Sequence, residues 1–146
     1  MENKSFINEL TDKFGDMILE TKEHNDKRIT IRIDPGALVK IADHFYNEQE
    51  LRFIIASGLH SKKGFEIFYH FSNDKSGHVI NLHVVLPQVN PDIDTLTGLF
   101  SAAEWIEREI HELLGIDFKG HPNLVPLISK DNWPEKTYPY RKDFIK

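Results

Sequence analysis

At the amino-terminal end of the chain, the spacing of apolar side chains predicts a helix, a strand and a second helix. The first helix is amphipathic and fades in the polar stretch 21–27. Its apolar positions are Phe6, Leu10, Phe14, Met17 and Ile18. Residues 28–33 alternate between polar and apolar side chains, as a half-buried strand does. Asp34 and Pro35 then supply an N-cap and a first-turn proline for the second helix. The inward side chains of that helix are Leu38, Ile41 and Phe45.

From residue 51 to residue 86 the apolar period changes to two, which predicts three antiparallel strands. We expect a three-residue loop, 62–64, between the first two strands and a four-residue loop, 74–77, between the last two. With these loops one face collects Phe53, Ile55, Phe65, Ile67, Ile80, Leu82 and Val84. A shift of either register by one residue would break this agreement. On the opposite face the same register sets His70 against Asn81 and His83 against Phe68.

A third helix is predicted from Ser101 to Gly115, because residues suited to capping stand at both ends. Ser101 followed three residues later by Glu104 is a capping-box pattern, and Gly115 can adopt the left-handed conformation that closes a helix. The apolar stripe expected to be buried consists of Ala103, Ile106, Ile110, Leu113 and Leu114. The chain before this helix, 92–98, is expected to form a turn or a short helical piece.

After Gly115 the chain stays apolar but loses its periodicity, and four prolines interrupt it. Such a segment either wraps over its own domain or lies on another protein. We therefore divide the chain into a core domain, 1–115, that ends in the charged helix, and an extended docking tail, 116–146. The expected fold class is α+β with two layers: α-β-α, a three-stranded antiparallel meander, a C-terminal helix and an extended irregular tail.

Composition removes several classes of function. The 146 residues suffice for one domain, and a net charge of -5 argues against a nucleic-acid partner. Cysteine is absent, so the chain cannot form disulfides or hold an iron–sulfur cluster by thiolates. No apolar run has the length of a membrane span, and the amino terminus lacks the apolar core of a signal peptide. A cytoplasmic protein is the simplest expectation.

Histidine and glutamate side chains raise the question of a metal site. Zinc hydrolases carry H-E-x-x-H on a helix, and His111-Glu112 begins this pattern, but Gly115 stands where the second histidine would be. Glu107 lies one turn before His111 and could chelate with it, although one such pair is short of a site. We interpret the histidines of the meander as solvated or interface side chains; they are His60, His70, His78 and His83.

Two separated motifs are more specific. The first is E-R-E-I-H-E-L-L-G-I-D-F-K-G-H-P, which covers 107–122, and the second is W-P-E-K-T-Y-P-Y-R-K-D-F, which covers 133–144. By spacing alone, the charged residues of the first would be a solvated helix face with weak ion pairs. Together the motifs resemble the signature of the 30-kDa subunit family of respiratory complex I. The matching residues are Glu107, Arg108, Glu109, Glu112, Leu113, Leu114, Gly115, Gly120, His121, Pro122, Arg141, Lys142, Asp143 and Phe144.

This resemblance implies a cofactor-free structural subunit in the peripheral arm of a membrane-associated oxidoreductase, without an active site of its own. The implied partners are the large catalytic subunit and the adjacent iron–sulfur small subunit. These partner subunits would carry iron–sulfur clusters and, in a hydrogenase, nickel-iron. The chain would lie on the inner face of the cell membrane and contact the membrane only through the complex. The residues implied to bind partners are Glu107, Arg108, Glu109, His111, Glu112, His121, Pro122, Trp133, Arg141, Lys142, Asp143 and Phe144.

Departures from the family pattern bear on the type of complex. Asn123 and Val125 replace an acidic and a basic residue found in many complex I members, and the second motif resembles that of energy-converting [NiFe] hydrogenases more closely than that of NADH:quinone oxidoreductases. This favours the hydrogenase type. Two alternatives stay open: a small metal-dependent hydrolase that uses Glu107, His111, Glu112 and the meander histidines, and a free-standing adaptor domain of the same fold.

Overall fold

The computed structural model describes residues 2–124 together with Tyr138, Tyr140 and Arg141. In this part of the chain the helices and strands are, in order, α1 (Asn3–Phe14), β1 (Ile18–Asn25), β2 (Arg28–Ile33), α2 (Leu38–Asp43), β3 (Arg52–Ser61), β4 (Gly64–Asn73), β5 (His78–Leu86), β6 (Asp92–Asp94), α3 (Ala103–Leu114) and β7 (Asp117–Lys119). The α+β fold class, with a meander followed by a C-terminal helix, is confirmed.

The strands form two sheets. Five of them lie in the order β1-β2-β5-β4-β3, and β6 pairs with β7 in a separate two-stranded sheet. β1 is antiparallel to β2, whereas β2 is parallel to β5. The parallel pair sets Ile29 beside Ile80 and Ile31 beside Leu82. The predicted meander is therefore β3, β4 and β5, and the strand predicted at 28–33 extends the same sheet through β5.

The chain divides into two compact units, Met1–Ile55 with Phe68–Val84 and Ala56–Ile67 with Val85–Lys146. In the first unit the three isoleucines of β2 are fully buried, as their alternation predicts. Helix side chains complete this core through aromatic contacts: the ring centroids of Phe6 and Phe45 are 5.5 Å apart, and those of Phe45 and Phe71 are 5.2 Å apart. Burial of such rings is a large part of the apolar stabilisation of a small domain.

In the second unit α3 packs closely on β3. A Cβ atom added at Gly58 would lie 2.9 Å from Leu114 Cδ1 and 3.2 Å from Ile110 Cγ2, so glycine lets the helix approach the strand. Ile93 of β6 and Phe118 of β7 are buried side by side in register. The short second sheet therefore contributes to the core of this unit.

Two pairings were missed at the level of sequence. The polar stretch 21–27 contributes most of β1, an edge strand whose side chains are almost all exposed. It has no apolar alternation because neither face is covered, and charged side chains are a common protection of an edge strand. Residues 92–98, expected to be a turn or a helical piece, include β6 instead. Its partner β7 lies in the segment expected to be irregular, and pairing over such a separation leaves no local pattern.

The first hairpin differs from its predicted register. β3 ends at Ser61 and β4 begins at Gly64, so the loop has two residues and not three. Ile55 and Leu59, of which Ile55 was expected on the buried face, are 47% and 42% exposed, whereas Ala56 and His60 are buried. A histidine is tolerated there because His60 stacks on Phe65, with ring centroids 4.1 Å apart, and bonds the side chain of Gln88 at 2.6 Å.

The second hairpin agrees with its predicted register. β4 ends at Asn73 and β5 begins at His78, which leaves the expected four-residue loop. The predicted neighbours also meet across the strands. His70 Nδ1 lies 2.7 Å from Asn81 Oδ1, and the rings of Phe68 and His83 are stacked with centroids 4.2 Å apart.

Candidate partner-binding site

Most of the predicted site lies on α3. The helix begins after Ala102, and no side chain caps it, so the capping box predicted at Ser101 is wrong. At the other end Gly115 is left-handed, with φ 78° and ψ 20°, and its N–H donates to the carbonyl of His111 at 2.8 Å. The predicted glycine C-cap is therefore confirmed. Of the predicted apolar stripe, Ala103, Ile110 and Leu114 are buried, and Ile106 and Leu113 are half-buried.

Glu107 is buried inside its own unit, although it was predicted to bind a partner. Its side chain is 1% exposed. Thr95 Oγ1 donates to Glu107 Oε1 at 2.5 Å, and the N–H of Leu96 donates to Oε2 at 2.8 Å. Burial raises the pKa of Glu107, while the hydrogen bonds from Thr95 and Leu96 and the nearby His121 oppose that rise. The carboxylate thus ties the chain after β6 to the middle of α3.

His121 fastens the G-H-P turn to the same helix. The N–H of Asn123 donates to His121 Nδ1 at 3.0 Å, so the ring proton of a neutral imidazole lies on Nε2. Nε2 in turn lies 3.0 Å from the carbonyl oxygen of Glu104 and donates to it. Gly120 before it has φ 84°, a conformation that glycine adopts without strain. Pro122 after it is exposed.

His111 and Glu112, the pair that begins the zinc pattern, have different surroundings. His111 Nδ1 lies 2.8 Å from the carbonyl oxygen of Ile116 and closes the turn after the helix. Glu112 is buried, at 6% exposure. Over residues 2–124 and the three described tail residues, no group of three or more histidine, aspartate or glutamate side chains is arranged to hold a metal ion. Glu107, which the hydrolase alternative requires, is bonded to Thr95 and Leu96.

Arg141 from the second motif binds the carboxyl end of α3. Its Nε donates to the carbonyl of Leu114 at 2.9 Å, and its guanidinium carbon lies 4.9 Å from the ring centroids of both Phe65 and Tyr138. The last carbonyls of a helix lack partners within the helix and carry partial negative charge, which suits a guanidinium. The N–H of Tyr140 adds a bond to the carbonyl of Leu113 at 3.0 Å. The two motifs are thus brought together by contacts within the chain.

Gly115 of the first motif lies directly beside the ring of Tyr138 of the second. A Cβ atom there would lie 2.7 Å from Cε2 of the Tyr138 ring. The position therefore requires glycine twice, once for its positive φ and once for the close approach of the ring.

On the side of α3 away from Glu107 lies a patch that we call the exposed face. It is defined by Trp105, Arg108 and Glu109. Trp105 is 59% exposed, and the guanidinium carbon of Arg108 lies 5.3 Å from the centroid of its ring. Glu109 is exposed beside them. Sequence reasoning proposed Arg108 and Glu109 but did not include Trp105; the three-residue spacing between Trp105 and Arg108, which makes them neighbours on a helix, was the available signal.

The predicted site residues therefore separate by location. Glu109, Pro122 and Arg141 are exposed, Arg108, His111 and His121 are half-buried, and Glu107 and Glu112 are buried. His111, His121 and Arg141 also bond backbone carbonyls of their own chain. Trp133, Lys142, Asp143 and Phe144 lie outside the described residues. In the part of the chain that is described, no helix has the length and apolar run that a membrane crossing needs.

A comparison with solved structures defines the class of fold. The structure entitled "Structure of the membrane-bound sulfane sulfur reductase (MBS), an archaeal respiratory membrane complex" contains a similar chain, with a TM-score of 0.84 and 23% sequence identity. The match covers 97% of this chain and 85% of that chain. The two chains share a fold.

The family follows from the sequence itself. The chain belongs to the family described as "Respiratory-chain NADH dehydrogenase, 30 Kd subunit", which matches residues 31–146. The family resemblance carried by the two motifs is thereby confirmed.

Two curated relatives match over almost their whole lengths. A subunit of the NADH-quinone oxidoreductase of Citrifermentans bemidjiense is 26% identical, over 98% of this chain and 89% of that protein. A subunit of the F(420)H(2) dehydrogenase of Methanosarcina mazei is 29% identical, over 99% of this chain and 92% of that protein.

Proposed function

We propose that this chain is a non-catalytic subunit of a membrane-associated oxidoreductase complex, placed in the peripheral arm beside the large catalytic subunit. Support comes from the family and from relatives whose names describe subunits of NADH-quinone oxidoreductase and F(420)H(2) dehydrogenase. The composition is compatible with this role, because a chain without cysteine lacks the usual ligands of an iron–sulfur cluster. The electron carriers of such a complex would reside in its partner subunits.

The observation that carries the proposal is that some motif residues at α3 bond groups of this chain, whereas others lie on its exposed face. Glu107, His111 and Arg141 use their polar atoms on backbone or side-chain groups of this chain, so they order the helix and its two ends. Trp105 is exposed, and the guanidinium of the half-buried Arg108 lies beside its ring as a cation–π pair. Tryptophan and arginine are the residue types most often dominant in protein interfaces. α3 is fixed by contacts on its buried side and at its carboxyl end, and it presents the Trp105–Arg108 pair on its other side. Such a helix is suited to binding a partner.

We assign the direct partner contacts to the exposed face of α3, to Pro122 and to the tail residues of the second motif, namely Trp133, Lys142, Asp143 and Phe144. Glu107, Glu112, His111, His121 and Arg141 are assigned an indirect role as positioning residues. The tail 116–146 keeps its proposed docking function for the part beyond β7, while Tyr138 and Arg141 give it an attachment to α3. The large catalytic subunit is the proposed partner of these surfaces, and the iron–sulfur small subunit its proposed neighbour.

The test is recovery of the complex. The tagged chain, expressed in the organism that makes it, is expected to co-purify with a large subunit and an iron–sulfur subunit, and the eluate should contain acid-labile sulfide. Nickel in the same eluate would support the hydrogenase type, and its absence together with quinone reductase activity would support the other. Recovery of the chain only as a free monomer, with no oxidoreductase subunit at any ionic strength, would refute the proposal.

A further inference from the structure

Three segments of the first unit meet at the beginning of β5. Asn3, the first residue of α1, donates through Nδ2 to the carbonyl of Asn25 at the end of β1, at 2.8 Å. The N–H of Val79 in β5 donates at 2.7 Å to the carbonyl of Lys27, which lies in the turn between β1 and β2. Lys27 Nζ donates at 2.6 Å to the carbonyl of Ser76. A few hydrogen bonds therefore join this turn to α1 and to β5.

The imidazole of His78 is buried at this junction. The residue is 3% exposed, and its Nδ1 lies 2.7 Å from Ser76 Oγ. Nε2 is buried and has no hydrogen-bond partner among the described residues. In a neutral imidazole only one ring nitrogen carries a proton, whereas in an imidazolium both nitrogens are donors. Protonation of the buried ring would therefore leave a charged donor without an acceptor, which costs more than an unpartnered neutral group.

Charged neighbours add to this cost. The pKa of His78 is lowered from its ordinary value of 6.5, first by burial and then by the positive charges of Lys27 and of the amino terminus. The backbone of Asp26 acts in the opposite direction, although it makes no hydrogen bond of ordinary geometry with Nε2. The folded chain thus keeps His78 neutral to a lower pH than the unfolded chain does.

A cavity of about 290 Å³ is lined by His78 and by residues that are mostly charged. The other lining residues are Glu2, Asn3, Lys4, Glu23, Asp26 and Lys27. Three carboxylates and two ammonium groups leave this wall with one negative charge in excess. All five charged residues are exposed, so water reaches them. An imidazolium that left its buried position would meet water and carboxylates here, and both stabilise a positive charge.

We propose that His78 is a pH-sensitive switch: its neutral ring holds the β1–β2 turn against the start of β5, and its protonation opens this junction. In the open state the ring faces the charged wall of the cavity. A histidine whose pKa is lower in the folded chain stabilises the closed state fully above 6.5, and this stabilisation is lost as the pH falls below 6.5. The inference is independent of the proposed function, because it concerns contacts within the first unit alone.

Amide hydrogen exchange of Val79 in the full-length chain, followed by NMR, tests the switch. Its N–H bonds the carbonyl of Lys27, so its protection factor reports opening of the junction. From about pH 7.5 to about pH 5.5 we expect this factor to fall several-fold in wild type, with about tenfold as the limit for an open-state pKa of 6.5. His78→Asn can still bond Ser76 but does not titrate, so its protection should stay constant. His24→Gln is the matched control at an exposed histidine and should respond like wild type.

Two further measurements keep the test decisive. Lys27→Gln removes an ammonium group that opposes protonation of His78, so the fall in protection between the two pH values should be smaller than in wild type. An NMR titration of the His78 ring should give a pKa below 6.5. A pKa at or above 6.5, or equal falls in protection in wild type and His78→Asn, would overturn the inference. If His78→Asn does not fold, an equal fall in wild type and Lys27→Gln overturns it instead.

Discussion

Glu107 and Glu109 are two residues apart in the same motif, yet they lie in opposite environments on the two sides of α3. Glu107 is buried and bonded to Thr95 and Leu96, and Glu109 is exposed beside Arg108. Residues two positions apart on an α-helix point in directions about 200° apart. Two glutamates of one motif can therefore face the core and the solvent. Within one charged motif the buried Glu107 therefore orders the helix, whereas Glu109 is exposed on the face that we propose to bind a partner.

The largest effect on stability is expected from Glu107→Ala. The substitution leaves the buried N–H of Leu96 and the hydroxyl of Thr95 without their acceptor, which costs about 2–4 kcal/mol for two unsatisfied donors. For a chain of this size, thermal unfolding should shift downward by about 5–10 °C. Glu109→Ala is the matched control, and its melting temperature should stay close to that of wild type. Equal melting temperatures for the two variants would remove the distinction between the two sides of the helix.

Gly115→Ala is expected to destabilise the chain somewhat less. A Cβ at a left-handed position costs about 1 kcal/mol, and contact with the Tyr138 ring adds to this. Gly77→Ala provides the control, because Gly77 has φ 80° and no atom within 4 Å of an added Cβ. The free energy of unfolding of both variants is measured in urea. The additional loss in Gly115→Ala, relative to Gly77→Ala, reports how strongly the second motif is attached to α3. If the two losses are equal, Tyr138 does not stabilise that attachment.

Arg108→Ala should leave stability nearly unchanged and act on assembly instead. The guanidinium carbon of the half-buried Arg108 lies 5.3 Å from the centroid of the exposed Trp105 ring, and truncation of an interface arginine commonly weakens binding about tenfold or more. The retained fraction of large subunit in a pull-down, set against the melting temperature of the isolated variant, tests this. Arg108→Lys keeps the charge and loses the planar group, so it should recover only part of the binding. A parallel loss of melting temperature and assembly would place Arg108 in the fold.

The smallest expected effect is a pH dependence at Glu107. Its folded-state pKa is raised, chiefly by burial, above the unfolded value of 4.5. The protonated form is therefore favoured in the folded chain, and this contribution is fully present below 4.5 and lost as the pH rises through the folded value. The difference in melting temperature between wild type and Glu107→Gln should thus favour wild type most at about pH 4 and decline toward about pH 8. A constant difference over this range would contradict the raised pKa.

Local pattern accounts for much of the fold. The alternating residues 28–33 form β2, and the four-residue loop 74–77 sets His70 beside Asn81. α3 ends at Gly115 in the predicted left-handed conformation. These features depend on neighbours close in the chain, where periodicity and turn chemistry act. The first hairpin was wrong for the opposite reason. Its register depends on whether Ile55 or His60 faces the core. The contacts of His60 with Phe65 and Gln88 favour the register in which the histidine faces inward.

For the candidate site, the motifs identified the family and the residues of interest but not their roles. Glu107, His111 and Arg141 resemble surface residues in a one-dimensional pattern, and their partners are a backbone N–H, a backbone carbonyl and two aromatic rings elsewhere in the chain. Trp105, absent from the predicted set, belongs to the exposed face. No spacing rule distinguishes a buried glutamate from a solvated one when its acceptor role depends on a distant turn.

What the sequence determined by itself was therefore the family, the order of elements and the third helix with its glycine end, because these follow from spacing and from motifs that are contiguous. Only the tertiary structure decided the parallel pairing of β6 with β7, which sets Asp92 beside Asp117, and the burial of Glu107 against Thr95 and Leu96. Both depend on which distant backbone groups meet, and that choice is made by the packing of the whole unit.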